Sequence, residues 1–304
     1  MLRNALLWAS KNPVLAEKLP RYGFVKKATK RFMPGEERED ALAQAEVLAE
    51  SGIKTTTTLL GENLESLSEA DDVVAHYLET LEAVESRGLD TEISVKPTQL
   101  GLDYGVEEAR KRVARLAGAT SSLVWIDMEG SDYVDGTLEL FRGVKAEHDN
   151  VGLCMQAYLR RTEADLESLL PLEPAIRIVK GAYNEPPEIA FPSKADVDRS
   201  YVKLMQVLLR ARLHGEVGRP VSATHDPKMI GETNRIAFEL GLDKERYEFA
   251  LLFGIQREEQ LRLARRGHQV RVLISYGSAW FPWYMRRLAE RPANLWFVAK
   301  QLVG

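Results

Sequence analysis

Lys54-Thr55-Thr56-Thr57-Thr58-Leu59-Leu60-Gly61-Glu62-Asn63 is the stretch on which the fold turns. Lys54–Leu60 is a short β-rich run with the length of a strand buried on both faces. It is followed by Gly61-Glu62-Asn63, not by the G-x-G-x-x-G loop that a dinucleotide-binding sheet places after its first strand. Seven comparable runs follow, at Glu92–Pro97, Ser122–Glu129, Val151–Ala157, Ala175–Gly181, Pro220–His225, Arg246–Leu252 and Gln269–Ser275. Helical signals separate them. Ala70–Arg87 sets Val73, Tyr77, Leu78, Leu81 and Val84 on one face. Tyr104–Gly118 ends on a glycine suited to a C-cap, and Ser193–Gly215 opens on an N-capping serine. Pro227–Gly241 has proline just inside and glycine at its stop, and Gln256–Gly267 repeats the pattern. Eight strands alternating with helices over residues 54–304 match a (β/α)8 TIM-type barrel, typically ~250 residues. An open doubly wound α/β sheet is the alternative. Residues 1–53 read as an N-terminal helical extension over one end of the barrel, with a helix from about Glu36 to Ser51.

Composition bounds the function. With 45% hydrophobic and 28% charged residues, the 304-residue chain has the material for a large packed core. Its 41 basic and 45 acidic residues leave a net charge of −4, without the cationic surplus that nucleic-acid binding requires. One cysteine, Cys154, excludes an intramolecular disulfide and a cysteine-based zinc cage, and fits a reducing compartment. Met1–Trp8 lacks the apolar core of a secretory signal, and no apolar run approaches the ~20 residues of a spanning helix. The expected location is therefore the cytoplasm.

In a barrel of this kind the chemistry lies at the C-terminal ends of the strands. Six of the eight runs carry a charged, amide or imidazole group there or nearby. They are Lys96; Asp127 and Glu129; Gln156; Arg177 and Lys180; Thr224-His225-Asp226; and Glu248, while the eighth runs into Tyr276-Gly277. Buried without partners such groups cost several kcal/mol each, so they need one another or a ligand. Plainer roles compete: Asp127 and Glu129 as helix caps, Gln156 on backbone groups, Arg177 and Lys180 paired with the strand-three acids. A metal site from His225, Asp226, Asp127 and Glu129 is disfavoured, because Lys96, Arg177 and Lys180 would crowd the cation. Cys154 sits in an apolar run and reads as core. Neither G-x-S-x-G nor H-E-x-x-H occurs.

The most specific segment is Trp280-Phe281-Pro282-Trp283-Tyr284-Met285-Arg286-Arg287-Leu288-Ala289-Glu290. On a helix Glu290 lies one turn from Arg286 and can hold its guanidinium. Arg287 lies about 100° around, so both forks could converge on a small carboxylate. An exposed basic helix end is the competing reading.

With Arg177–Tyr183 (RIVKGAY), Ala223–Asp226 (ATHD), Tyr247–Phe249 (YEF) with Gly254, and Tyr276-Gly277 ahead of Arg286–Glu290, the chain resembles the proline dehydrogenase family over residues 20–300. The resemblance implies a modified (β/α)8 barrel with its last helix over the strand ends. It implies FAD as cofactor, oxidation of L-proline to 1-pyrroline-5-carboxylate by hydride transfer to flavin N5, and electrons passed to a membrane quinone. That electron flow, with the apolar tail Leu295-Trp296-Phe297-Val298, would allow peripheral contact with the inner face of the membrane, although the tail reads better as the packed face of the last helix. Carried over by position, Arg286 and Arg287 hold the substrate carboxylate and Glu290 orients an arginine. Lys96 and its partner Asp127 line the substrate pocket, with Leu252 as an apolar wall and Tyr276 beside it. Arg177 lies near N5, with Gln156 and Val179 beside the isoalloxazine. Lys180, Gly181 and Ala182 contact the flavin or its ribityl chain. Thr224 and His225 reach the phosphate or ribose region, and Lys194 a phosphate. The chain departs from the family pattern at Leu273, Ala250 and Ser275, where tyrosine, glutamine and proline are frequent. These positions bear on substrate identity, so a hydroxylated or substituted proline, or another cyclic imino acid, is an alternative substrate. Other readings are a methylenetetrahydrofolate-reductase-like flavin barrel and a non-catalytic amino-acid-binding barrel.

Overall fold

Alternation along each strand builds the molecule. In Thr91–Val95, Ile93 and Val95 join the apolar layer under the helices while Glu92 and Ser94 face inward. The computed structural model of the chain describes residues 12, 29–61 and 64–290, apart from the side chains of residues 286, 289 and 290. Eight parallel strands close on themselves in sequence order, with β1 pairing both β2 and β8. They are β1 (Lys54–Leu59), β2 (Thr91–Val95), β3 (Val124–Ile126), β4 (Val151–Gln156), β5 (Ala175–Val179), β6 (Arg219–Ala223), β7 (Glu248–Leu252) and β8 (Gln269–Tyr276). The closed barrel decides against the open sheet.

Nine helices are defined among the described residues. They are α1 (Arg38–Ala49), α2 (Leu67–Ser86), α3 (Val106–Gly118), α4 (Val134–Lys145) and α5 (Thr162–Leu169). Then come α6 (Lys194–His214), α7 (Pro227–Glu239), α8 (Arg257–Arg265) and α9 (Trp280–Glu290). Ser193 caps α6 through a bond from Asp196 N–H, and Pro227 opens α7 as its pattern requires. Two details differ from expectation. Gly118 is the last helical residue of α3, and the cap is Ala119 in a right-handed conformation. In α2 it is Val74 that is fully buried with Tyr77, Leu81 and Val84, while Val73 and Leu78 are half-covered. Helices α4 and α5 carry no strong stop or start signal. Gly136 and Gly143 interrupt α4's propensity, and at Gly143 a Cβ would stand 2.8 Å from the Arg110 side chain, so the glycine permits the close α3–α4 approach.

The inner space is layered. At the N-terminal base, Glu92, Glu248, Arg219 and Arg271 form a buried ion network. Arg271 Nε lies 3.1 Å from Glu248 and 3.3 Å from Glu92, and Arg219 Nη2 lies 2.5 Å from Glu92. Trp125 lies above it, donating from Nε1 to Glu92 at 2.7 Å and packing with Ala175 and Val221. Glu248 therefore belongs to the base, not to the mouth where the sequence placed it. It opens β7, and in a parallel barrel the start of a strand lies opposite the chemistry.

At the mouth, α9 buries Trp280, Phe281, Tyr284, Met285 and Leu288 against Phe32, Met33 and Leu60. The Trp280 indole N–H donates to Glu36 at 3.2 Å. Leu60 directly follows β1, and Ile255 from the β7–α8 turn packs on the same cluster. Helix α9 is thus seated beside the C-terminal strand ends, on residues that precede β1 and on Leu60 just after it.

Candidate active site

The strand ends converge on one carboxylate. Asp127 follows β3, and its backbone N–H still bonds Val95 O at 2.9 Å. Its Oδ1 receives Arg177 Nη2 at 2.5 Å and the Ser94 hydroxyl at 2.8 Å. Its Oδ2 lies 3.7 Å from Lys96 Nζ. Lys96, Asp127 and Arg177 thus come together, and Arg177 pairs with a strand-three acid. The Arg177 guanidinium also accepts the face of Trp125, 4.8 Å from the ring centroid, a cation–π placement. Burial works against its charge, but the Asp127 carboxylate beside it acts the other way, and the guanidinium stays above its ordinary pKa. Arg177 is a permanent cation in a dry place. Cys154 is buried, and burial raises its thiol, so it is a neutral core residue.

Gln156 ends β4 on the same inner face. Its Nε2 donates to Met128 O at 3.0 Å and Glu129 O at 3.2 Å, while its buried Oε1 has no partner among the described residues. Val179 and Leu252 end β5 and β7, half-buried and apolar. His225 does not project as a lone group: its Nε2 accepts the Leu252 N–H at 2.9 Å, which anchors the end of β7.

Lys180 follows Val179 and turns outward to the rim, not to the strand-three acids. It bridges Asp198 of α6 and Asp226, the latter at 2.6 Å. Lys194, mostly exposed at the first turn of α6, reaches the same two carboxylates. Asp226 caps α7 through Lys228 N–H, and the Thr224 hydroxyl accepts the Asp226 N–H at 3.1 Å. Burial would raise the Asp226 carboxyl, yet the bonds from Lys180 and Lys194 hold it far below the usual range. Two helix N-termini and two ammonium groups thus surround one rim position. Gly181 next to it has φ +115°, and a Cβ there would stand 2.2 Å from the Tyr158 ring. Only glycine fits that approach, and half-buried Ala182 follows.

Tyr276 does not face the mouth. Leu273 and Ser275 of β8 point inward, so Tyr276 points outward, its hydroxyl 2.9 Å from His76 Nε2 and 3.4 Å from Thr80 Oγ1 on α2. Burial pushes that hydroxyl up to about 12. The side chains of Arg286 and Glu290 lie outside the described residues, so the two-arginine clamp stands on α9's position and on half-buried Arg287. Glu129 takes the plainer role, accepting Thr98 N–H at 2.9 Å and its hydroxyl at 2.8 Å to cap the turn after β2. With Asp127 and Asp226 bound to cations, the described residues hold no group of acids and histidines arranged for a metal.

Sequence reasoning missed Ser94, Trp125 and Asp198. Ser94 was legible, since it lies two residues before Lys96 and so on the same strand face.

A closed (β/α)8 barrel carries buried cations around one carboxylate at its mouth, with an amide oxygen unpartnered among the described residues and two apolar walls. Two cations facing one carboxylate leave the mouth with a net positive charge, which suits a small anion. A family model described as proline dehydrogenase matches residues 41–300. Proline dehydrogenase 1 of Bacillus subtilis subsp. natto is 35% identical over 306 residues, covering all of this chain and 99% of its own. Proline dehydrogenase of Deinococcus radiodurans is 35% identical over 312 residues, covering all of this chain and 98% of its own. Among solved structures, proline utilization A (PutA) from Bdellovibrio bacteriovorus inactivated by N-propargylglycine superposes with a TM-score of 0.81. It is 24% identical and covers 95% of this chain, which spans 36% of that longer protein. This chain belongs to the proline dehydrogenase family, a family of oxidoreductases.

Proposed function

We propose that this chain oxidises L-proline to 1-pyrroline-5-carboxylate with FAD as cofactor and a membrane quinone as final acceptor, in proline catabolism. The observation that carries the reading is the set of buried Arg177 and Lys96 around half-buried Asp127 at the barrel mouth. It accompanies the match to proline dehydrogenases over the whole chain.

The residues fit a flavin. An isoalloxazine has an N–H donor on its pyrimidine edge and an apolar ring system beside it. Gln156 offers a buried acceptor with no partner among the described residues, and Val179 offers an apolar contact. The Gly181 turn leaves room where a side chain would clash, and Lys180, Ala182, Lys194, Thr224 and His225 line the rim toward the phosphates in this reading. FAD, when bound, supplies the two-electron acceptor for the hydride from the substrate's ring carbon.

The chain's own residues then do the following. Arg286 and Arg287 of α9 grip the carboxylate from above, with Glu290 orienting an arginine. Lys96 and Leu252 confine the ring on its polar and apolar sides, which holds the reacting carbon in place. Arg177, cationic and shielded from water, would offset negative charge on a reduced flavin held at this mouth. Loss of two electrons and two protons converts the amine to an imine, and the proton on nitrogen leaves to water. Contact with the membrane is peripheral in this reading. Among the described residues no helix is long and apolar enough to cross one.

A specific observation favours a second substrate reading. Ser275 is buried with its hydroxyl unpartnered among the described residues, two positions past inward-facing Leu273. A hydroxyl on the substrate ring would satisfy it, so a hydroxylated proline is the alternative. Purified protein loaded with FAD is mixed anaerobically with L-proline, hydroxyproline and pipecolate, and flavin absorbance is followed. Bleaching by L-proline at the lowest concentration is expected. Protein that takes up no FAD, or a flavin that no cyclic imino acid bleaches, overturns the proposal.

A further inference from the structure

We propose that Ser94 is the positioning residue of the mouth, fixing Asp127 and Arg177 in the one mutual arrangement that the redox step uses. The inference rests on the proline-oxidising reading above.

Ser94 is fully buried on the inward face of β2. Its Oγ donates to Asp127 Oδ1 at 2.8 Å and accepts from Arg177 Nη2 at 2.9 Å. Arg177 Nη2 reaches the same Oδ1 at 2.5 Å. The three groups close a triangle in which one hydroxyl serves the anion as donor and the cation as acceptor. Alanine offers neither function, and threonine offers both. An ion pair joined at a single oxygen can swivel about that contact. A third vertex on a strand removes the freedom. Oδ1 is thereby committed to Ser94 and Arg177, and Oδ2 is left facing Lys96 at 3.7 Å.

The serine is itself held from outside the barrel. Tyr77 of α2 inserts its hydroxyl between the ends of β1 and β2, accepting Leu59 N–H and donating to Ser94 O, both at 2.9 Å. Burial keeps that phenol far above its ordinary pKa, so it remains a donor at every working pH. On the far side Trp125 faces the guanidinium, so Arg177 has little room to follow a carboxylate that turns. With the Ser94 hydroxyl removed, Asp127 turns toward Lys96 and the charge opposite the flavin loses its fixed orientation.

The test compares FAD-loaded wild type, Ser94→Ala and Ser94→Thr, and also follows the Arg177 guanidinium by nitrogen-15 NMR in flavin-free protein. The Arg177 signal is assigned by its loss in Arg177→Lys. In Ser94→Ala we expect kcat to fall about tenfold, the effect of one hydrogen bond to a charged group, with KM within about twofold. KM is spared because the carboxylate grip belongs to α9. Ser94→Thr restores kcat to within about threefold. The guanidinium signal is sharp in wild type and Ser94→Thr, and broadened in Ser94→Ala. Wild-type kcat and a sharp signal in Ser94→Ala overturn the inference, as does a Ser94→Thr variant no better than alanine. If wild type oxidises no imino acid, the functional reading fails, while the NMR comparison still decides whether Ser94 holds Arg177.

Discussion

Gly152 and Trp125 are matched across adjacent strands: a Cβ on Gly152 would stand 2.6 Å from the indole Cε3. The glycine is there for the indole, and the indole carries Arg177 on one face and contacts Arg219, 5.5 Å from its ring centroid. Gly152→Ala must push the ring toward Arg177. Overpacking of this kind costs about 1–3 kcal/mol. Urea titration of the variant is expected to show that loss together with weakened flavin retention. Unaltered stability would mean that the indole has room to retreat.

At the base, Glu248 neutralises Arg271 at 3.1 Å in a place closed to water. Glu248→Gln leaves Arg271 and Arg219 with one buried carboxylate, Glu92, and with exposed Asp90 3.1 Å from Arg271; loss of a buried partner costs about 3–5 kcal/mol. The expected result is a large drop in unfolding free energy with KM for L-proline within about twofold. A variant as stable as wild type would show that Asp90 and Glu92 suffice for the two arginines.

His268 packs edge-on against Tyr247 and Phe249, and burial lowers it to about 4. In the unfolded chain it titrates near 6.5, so between about pH 4 and 6.5 the unfolded state binds the extra proton. Stability from this site is complete above pH 6.5 and is lost as pH falls toward 4. Chemical denaturation at pH 7 and pH 5 should give a smaller difference for His268→Gln than for wild type. Equal differences would remove His268 from the acid response.

For α9, Arg286→Met and Arg287→Met are each expected to raise KM for L-proline by tenfold or more. Each removes a charge-assisted contact of about 1.5–3 kcal/mol. Kinetics unchanged in both variants would put the carboxylate elsewhere.

How much of this was legible in the sequence depends on which distance a feature spans. The eight strands were readable because outward Ile93, Val95, Ile126 and Ile178 alternate with inward polar groups inside short windows. The same period explains two misplacements. With Leu273 and Ser275 inward, Tyr276 has to face α2; with Arg177 and Val179 inward, Lys180 has to face the rim. Glu248 was misplaced because the side of a strand was read without its end. Partnerships across register were not legible. Nothing near Arg177 in the chain announces Ser94, 83 residues earlier, or announces Asp198 as the partner of Lys180.

The seat of α9 orders events during synthesis. Its apolar face rests on Phe32 and Met33, made before the first strand, and on Leu60 at that strand's end. A nascent chain with all eight strands emerged still has an unroofed barrel, with those three side chains open to water. Burial of these side chains waits for a helix that follows the eighth strand.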